Sequence, residues 1–209
     1  MPDLPLRSRA GQVLLTLCII QDSPEFVNRQ NQQNQSAKFV HFVDRQNAKY
    51  LLLYYQKETK ERDKKMRINF DMDGTIANLY AVDGWLPMLR AEDTTPYKMA
   101  KPMVNFSALA RLLNKLQRKG YEIAVISWGS KVASAEYDKA VAETKKAWLA
   151  KHLPSVKWDA VTVVPYGTPK DLFCFSADDV LFDDEAQNRN GWSGKAYDVS
   201  NILETLKAL

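Results

Sequence analysis

From residue 66 onward, short apolar runs alternate with longer stretches whose apolar residues recur every three or four positions. The short runs read RINF, YEIAVIS, WDAVTVV, DVLF and KAYDV. Runs of this length are typical of buried strands, and the longer spacing is typical of amphipathic helices. Strands that alternate with helices favour a parallel sheet covered on both faces. The sequence therefore predicts an α/β fold, a Rossmann-like three-layer parallel sheet.

Three helices have recognisable ends. The first lies in VNFSALARLLNKLQRKG, with Gly120 at the position after its C-cap. Its apolar face consists of Phe106, Leu109, Leu112, Leu113 and Leu116. A long helix in ASAEYDKAVAETKKAWLAKHLP ends before Pro154, and the last helix, in SNILETLKAL, is predicted to be capped by Ser200.

Residues 1–65 differ from the rest of the chain. They contain the low-complexity stretch NRQNQQNQS, which cannot bury a core, and they hold 11 Lys and Arg against 7 Asp and Glu. Residues 66–209 hold 18 of each sign, so the net charge of +4 comes entirely from the front segment. We expect residues 1–65 to be an N-terminal extension that is disordered, or else to result from a wrongly assigned start codon, with translation in fact beginning at Met66. The alternative is a genuine arm built on VLLTLCII and KYLLLYYQ.

The composition limits the cellular context and the partners. Cys18 and Cys174 are far apart and form no metal-binding pattern, so a reducing cytoplasm is the expected location. The run VLLTLCII is too short to span a bilayer, so no membrane partner is expected. The neutral balance of residues 66–209 gives no strong signal for nucleic acid. The oligomeric state stays open.

Polar residues stand at the ends of several predicted strands. In an open parallel sheet, ligands bind beyond the carboxyl ends of the strands. The residues expected at that edge are Asp71, Asp73, Ser127, Lys170, Asp183 and Asp184. Carboxylates at one edge suit Mg²⁺, which prefers oxygen ligands and often shares its site with a phosphate group. A hydroxyl and an ammonium can stabilise the charge of a transferring phosphoryl group. The sequence thus predicts magnesium-dependent phosphoryl chemistry.

Four short motifs in this order, FDMDGT, AVIS, PK and VLFDD, resemble those of the haloacid dehalogenase (HAD) superfamily. The resemblance covers residues 66 to 190 and implies a Mg²⁺-dependent phosphatase with a Rossmann-like core. It implies that Asp71 is the nucleophile and that Asp73 is the general acid and base. It further implies that Ser127 and Lys170 bind the phosphate.

The resemblance also implies a set of metal ligands. Asp71 and Asp183 would bind Mg²⁺ through their side chains, and Asp73 would contribute its main-chain carbonyl. Asp184 would be a ligand or would orient one.

The neighbouring pair Asp178 and Asp179 precedes its strand, so we expect these two residues to be solvated in a turn at the opposite edge.

The substrate is the least constrained part of the sequence-based interpretation. Only 30 residues separate Thr75 from Phe106, so any cap over the site is small. Within the HAD superfamily, the compact build and the stretch KKAWLAKHLP are similar to the 5′(3′)-deoxyribonucleotidase-like branch, which implies a nucleoside monophosphate. Trp128, Trp85 and Tyr97 are then candidates for stacking on the substrate, or they pack in the core or lid.

Two other classes of function remain open from the sequence. An open site also suits a HAD phosphatase that acts on a macromolecular phosphate, on a protein or at a nucleic-acid end. A non-catalytic binding module on the same scaffold is the third class, although the intact pair of Asp71 and Asp73 argues against it.

Overall fold

The computed structural model describes residues 65–131 and 133–209. The expectation for the N-terminal extension concerns residues 1–65, and of these all but Lys65 lie outside the described residues. In the described part of the chain, no helix combines the length and the apolar character needed to cross a membrane.

Five parallel strands form the central sheet. In chain order the strands of the described residues are β1 (Arg67–Phe70), β2 (Ala77–Asn78), β3 (Lys101–Pro102), β4 (Glu122–Trp128), β5 (Ala160–Val164), β6 (Val180–Phe182) and β7 (Lys195–Tyr197). The sheet has the order β5-β4-β1-β6-β7, and all its pairs are parallel. The short strands β2 and β3 form a separate antiparallel pair. The predicted parallel α/β fold is confirmed.

Helices connect and flank these strands. They are α1 (Trp85–Arg90), α2 (Thr95–Met99), α3 (Phe106–Arg118), α4 (Ala135–His152), α5 (Ala186–Gly191) and α6 (Ile202–Ala208). Within residues 65–131 and 133–209, three short 3-10 helices cover Leu79–Ala81, Lys170–Phe173 and Val199–Asn201. The second of these begins at Lys170, in the stretch PKDLFCF.

Both faces of the sheet are buried because successive side chains of a strand point to opposite sides. On one face Val180 and Phe182 of β6 belong to a large core, to which α3, α4 and α6 contribute apolar residues. On the other face Leu181 packs in a smaller cluster with Phe173 and Trp192. Apolar burial on both faces explains why the strands read as nearly continuous apolar runs.

The segment between β1 and α3 forms a small cap, as its length predicts. It contains β2, β3, α1 and α2. Leu79, Leu89 and Tyr97 from this segment pack against Tyr137 and Val141 of α4. The cap is therefore attached to the amino-terminal half of the long helix.

Helix ends follow local capping chemistry, with one correction. Asn105 caps α3 by accepting a hydrogen bond of 3.0 Å from the backbone N–H of Ala108. Gly120 has a φ of 96°, the left-handed conformation expected after a C-cap. The prediction that Ser200 caps the last helix is wrong. Ser200 lies inside the preceding 3-10 helix, and Asp198 accepts its N–H at 3.1 Å. Asp198 caps the 3-10 helix, and the last helix begins after Asn201, whose side chain makes no capping hydrogen bond.

Candidate active site

The turn after β1 brings the first two aspartates to the carboxyl edge of the sheet. The Asp71 N–H donates to the carbonyl of Phe182, which anchors the turn to β6 at 2.8 Å. The carbonyl of Met72 then accepts from Ile76 and Ala77, at 3.0 and 2.8 Å. Gly74 has a φ of 80°, and a Cβ at this position would collide with the Asp184 carboxylate. Glycine is therefore required where the turn approaches the metal-binding candidates.

Three carboxylates meet at this edge. Oxygen atoms of Asp71, Asp183 and Asp184 all lie within 4.8 Å of one another, in an arrangement that can hold a metal ion. The Lys170 ammonium donates to Asp71 Oδ1 and to Asp183 Oδ2, both at 2.6 Å. Asp71 is 5% exposed and Asp183 is fully buried. The structure thus brings four of the predicted site residues together.

The pKa values in this group reflect burial and crowding of like charge. Burial, followed by the nearby carboxylates of Asp71 and Asp183, raises the pKa of Asp184 to about 7. Burial and then Asp71 also raise the pKa of Asp183, against the opposing effect of Lys170. Burial alone would lower the pKa of Lys170, but Asp71 and Asp183 outweigh it and the pKa is raised. One lysine does not neutralise three carboxylates, so the carboxylate oxygens can bind an additional cation.

Neighbouring side chains orient the carboxylates. The Asp184 N–H donates to Thr75 Oγ1 at 3.1 Å, and the Thr75 hydroxyl lies 3.4 Å from Asp71 Oδ2 and 3.3 Å from Asp184 Oδ1. Asn188 donates to both carboxylate oxygens of Asp183, at 3.1 and 3.2 Å. Arg189 donates to the carbonyls of Asp183 and Asp184, at 2.8 and 2.7 Å. These contacts restrict the positions that the carboxylates can take.

The remaining predicted pair, Asp73 and Ser127, meets a residue that sequence reasoning missed. The side chain of Lys145, on α4, is fully buried. Its ammonium donates to Asp73 Oδ2 at 2.6 Å, to Ser127 Oγ at 2.8 Å and to the Trp128 carbonyl at 2.6 Å. The Tyr97 ring lies 5.0 Å from the same nitrogen. Asp73 thus points its carboxylate to Lys145 rather than into the three-carboxylate group.

The sequence does contain a signal for Lys145, which is its position among apolar residues of α4, but this position alone indicates no function. Val141, Trp148 and Leu149 are buried on α4, and Lys145 stands four positions after the first and three and four before the others. A lysine in the middle of an apolar helical face requires a buried partner. The stretch KKAWLAKHLP begins with this residue, yet its spacing alone does not identify which acceptors it meets.

Burial governs the ionisation of Asp73. Burial raises the pKa of Asp73, and Lys145 opposes the shift, whereas the neighbouring carboxylate of Asp71 adds to it. A raised pKa favours the protonated carboxyl, which is the form that can donate a proton to a leaving group. The charges of Asp71 and Lys170 also act on the pKa of Asp73, the first raising it and the second lowering it.

The three aromatic candidates occupy different environments. Trp128 is partly buried, its indole N–H donates to Thr168 O at 2.8 Å, and Lys170 Nζ lies 5.2 Å from its ring centroid. Trp85 is partly buried in the cap, edge-on to Tyr80. Tyr97 is only 2% exposed and faces Lys145, which leaves it little surface for a substrate. Trp128 therefore lies beside Lys170 of the three-carboxylate group, whereas Tyr97 lies beside Lys145.

The prediction that Asp178 and Asp179 are both solvated is wrong for Asp179. Asp178 is exposed and pairs with Lys195 at 3.1 Å. Asp179 is 1% exposed and accepts from the backbone N–H groups of Arg67, Phe175 and Ser176, at 2.9, 2.9 and 3.1 Å. The pair does lie before β6, at the edge opposite to the site. Because three backbone N–H groups converge on the Asp179 carboxylate, this residue is buried although the sequence places it in a turn.

No protein-family model and no curated protein matches this chain. Two solved structures with a similar fold are D,D-heptose 1,7-bisphosphate phosphatases. That of B. bronchiseptica, complexed with magnesium and phosphate, is 10% identical, with a TM-score of 0.44 over 68% of this chain and 98% of its own. That of Burkholderia thailandensis is 12% identical, with a TM-score of 0.42 over 68% and 99%.

Proposed function

We propose that this protein is a magnesium-dependent phosphomonoesterase of the HAD type, which acts through an aspartyl-phosphate. One observation carries the proposal. Asp71, at the end of β1, shares Lys170 with Asp183 and lies within 4.8 Å of Asp183 and Asp184. A nucleophilic carboxylate beside a cation site and a lysine is the arrangement that phosphoryl transfer requires.

The metal would be held by Asp71, Asp183 and Asp184. Bound there, Mg²⁺ would neutralise charge on the phosphate and thereby favour attack by an anion. Burial and then the carboxylates of Asp71 and Asp183 raise the pKa of Asp184 to about 7. The crowding supports this assignment, because three carboxylates beside one lysine leave uncompensated negative charge. Thr75 and Asn188 hold these carboxylates in place.

The side chains suffice to write both chemical steps. Asp71 attacks phosphorus, the bond from phosphorus to the ester oxygen breaks, and Asp73 gives its proton to the departing oxygen. Asp73 then takes a proton from water, whose oxygen attacks phosphorus, and the bond to Asp71 breaks. Lys170 pairs with Asp71, and Ser127 donates a hydrogen bond to a phosphate oxygen.

We further propose a nucleoside monophosphate as the substrate class. The support is the position of Trp128, which directly follows Ser127 and places its ring beside Lys170. Tyr166 packs on Trp128 with a centroid distance of 5.0 Å and is 47% exposed. An aromatic surface that leads away from a phosphate site suits a leaving group with a planar ring.

A panel of phosphomonoesters tests both levels of the proposal. Nucleoside monophosphates, sugar phosphates, a phosphopeptide and a 5′-phosphorylated oligonucleotide are each assayed with Mg²⁺ and with a chelator. We expect hydrolysis only with Mg²⁺, fastest on nucleoside monophosphates. Preference for the peptide or oligonucleotide would support a macromolecular substrate instead, and no hydrolysis of any ester would refute the enzymatic function.

A further inference from the structure

Lys145 is a buried lysine whose hydrogen-bonding capacity is fully used. An ammonium group has three N–H donors and no acceptor. The three donors of Lys145 meet Asp73, Ser127 and the Trp128 carbonyl, all within 2.8 Å. Because all three of its donors are used, Lys145 has no N–H left for a substrate. Any effect on the reaction must pass through the groups that it contacts.

The contact with Ser127 has a defined direction. Since the ammonium can only donate, Ser127 Oγ must accept, and the serine hydroxyl hydrogen remains for a different acceptor. Ser127 lies one residue before the end of β4, at the carboxyl edge of the sheet, and shares Lys145 with Asp73. A phosphate bound at this edge would need donors. We propose that Lys145 is a positioning residue that keeps Ser127 in the donating orientation and so prepares it for phosphate. The inference rests on the proposed phosphatase function.

Positioning through Ser127 differs from a simple effect of charge. A cation near the site attracts an anion whether or not Ser127 is present. A lysine that acts by orienting the hydroxyl matters only while the hydroxyl is there. The two explanations therefore predict different results when Lys145 and Ser127 are changed together.

A double-mutant cycle on phosphate affinity separates them. The variants Lys145→Met, Ser127→Ala and the double variant are made in an Asp73→Asn background, so that loss of the ammonium leaves no buried carboxylate unpaired. Binding of inorganic phosphate with Mg²⁺ is measured by isothermal titration calorimetry. We expect each single change to weaken binding by roughly 10- to 100-fold, the size of a hydrogen bond to a charged group. The double variant should be no weaker than the weaker single variant.

Additive losses in the cycle, or unchanged affinity in Lys145→Met, would overturn the inference. Lys146→Met is the matched control, because Lys146 is the next residue on α4 and pairs only with Glu143 at the surface among the ion pairs of the described residues. It should bind phosphate as the background does. If Lys145→Met does not fold, Lys145→Gln enters the same cycle and is judged by the same non-additivity.

Ester hydrolysis by the wild-type protein distinguishes a failure of the proposed phosphatase function from a failure of the proposed role of Lys145. A non-additive cycle in a protein that hydrolyses no ester would refute the proposed function and retain the role of Lys145. Ester hydrolysis with an additive cycle would refute only the role of Lys145.

Discussion

Two buried aspartates at opposite ends of β6 show how differently a protein can use the same group. Asp179 precedes the strand and is 1% exposed, whereas Asp183 follows it and is fully buried. Asp179 accepts from three backbone N–H groups of its own surroundings. Asp183 accepts from Lys170 and Asn188 and has the Asp71 carboxylate nearby.

The difference lies in the partners rather than in the burial. Three backbone N–H groups and the charge of Arg67 stabilise the Asp179 carboxylate, which fits a structural role. Around Asp183, two carboxylates share one ammonium and a third lies nearby, so the local charge is unbalanced until a cation binds. A buried carboxylate therefore indicates a functional site when its neighbours repeat its charge.

The largest effect is expected at the nucleophile. Asp71→Asn should abolish hydrolysis of phosphomonoesters, because an amide does not attack phosphorus as a carboxylate does. Steady-state rates on the best substrate of the panel provide the measurement. Asp178→Asn is the matched control, since Asp178 is exposed and outside the site, and it should retain the wild-type rate. Full activity in Asp71→Asn would exclude the aspartyl-phosphate.

The next effect concerns proton transfer. Asp73→Asn should lower kcat by about 10²- to 10⁴-fold, the usual contribution of a general acid and base. The loss should be smaller for substrates with a good leaving group, such as an activated aryl phosphate, because such a group departs with less help from a proton. An equal loss on both types of ester would argue that Asp73 does not protonate the leaving oxygen.

The comparison along β6 is tested most directly by paired alanine variants. Asp179→Ala leaves three partly buried N–H groups without their acceptor and should lower the free energy of unfolding by roughly 3 kcal/mol. It should leave the Mg²⁺ concentration for half-maximal activity unchanged. Asp183→Ala should raise that concentration at least about tenfold, since it removes a metal ligand. Denaturant unfolding measures the stability of both variants, and Mg²⁺ titrations of activity measure their metal requirement. If both variants raised the Mg²⁺ requirement equally, Asp179 and Asp183 would not differ in role as described.

The smallest expected effect is a pH dependence of metal affinity. With its pKa raised to about 7, Asp184 is mostly protonated at lower pH. The proton must leave before the carboxylate can bind Mg²⁺, so the apparent dissociation constant should rise about tenfold per pH unit below 7. Calorimetric Mg²⁺ titrations between pH 5.5 and 8 measure this slope. A slope that persists in Asp184→Asn would assign the proton to another group.

Local sequence patterns were sufficient for the sheet and for the positions of most candidate site residues. Asp71, Asp183 and Ser127 each stand at the carboxyl end of an apolar run, and parallel strands bring such ends to one edge. The burial of Asp179 could not be predicted in this way. Its three donors come from Arg67 and from the turn before β6, and this convergence exists only after the sheet has formed.

Sequence by itself determined the alternation of strands and helices, because burial on both faces of a strand and on one face of a helix requires distinct apolar spacings. It also determined which carboxylates end the strands. Tertiary structure decided which lysine forms an ion pair with which carboxylate. The order β5-β4-β1-β6-β7 brings Lys170 to Asp71 and Asp183, and the packing of α4 brings Lys145 to Asp73 and Ser127. Such pairings depend on distances between segments far apart in the chain, and spacing along the sequence does not encode those distances.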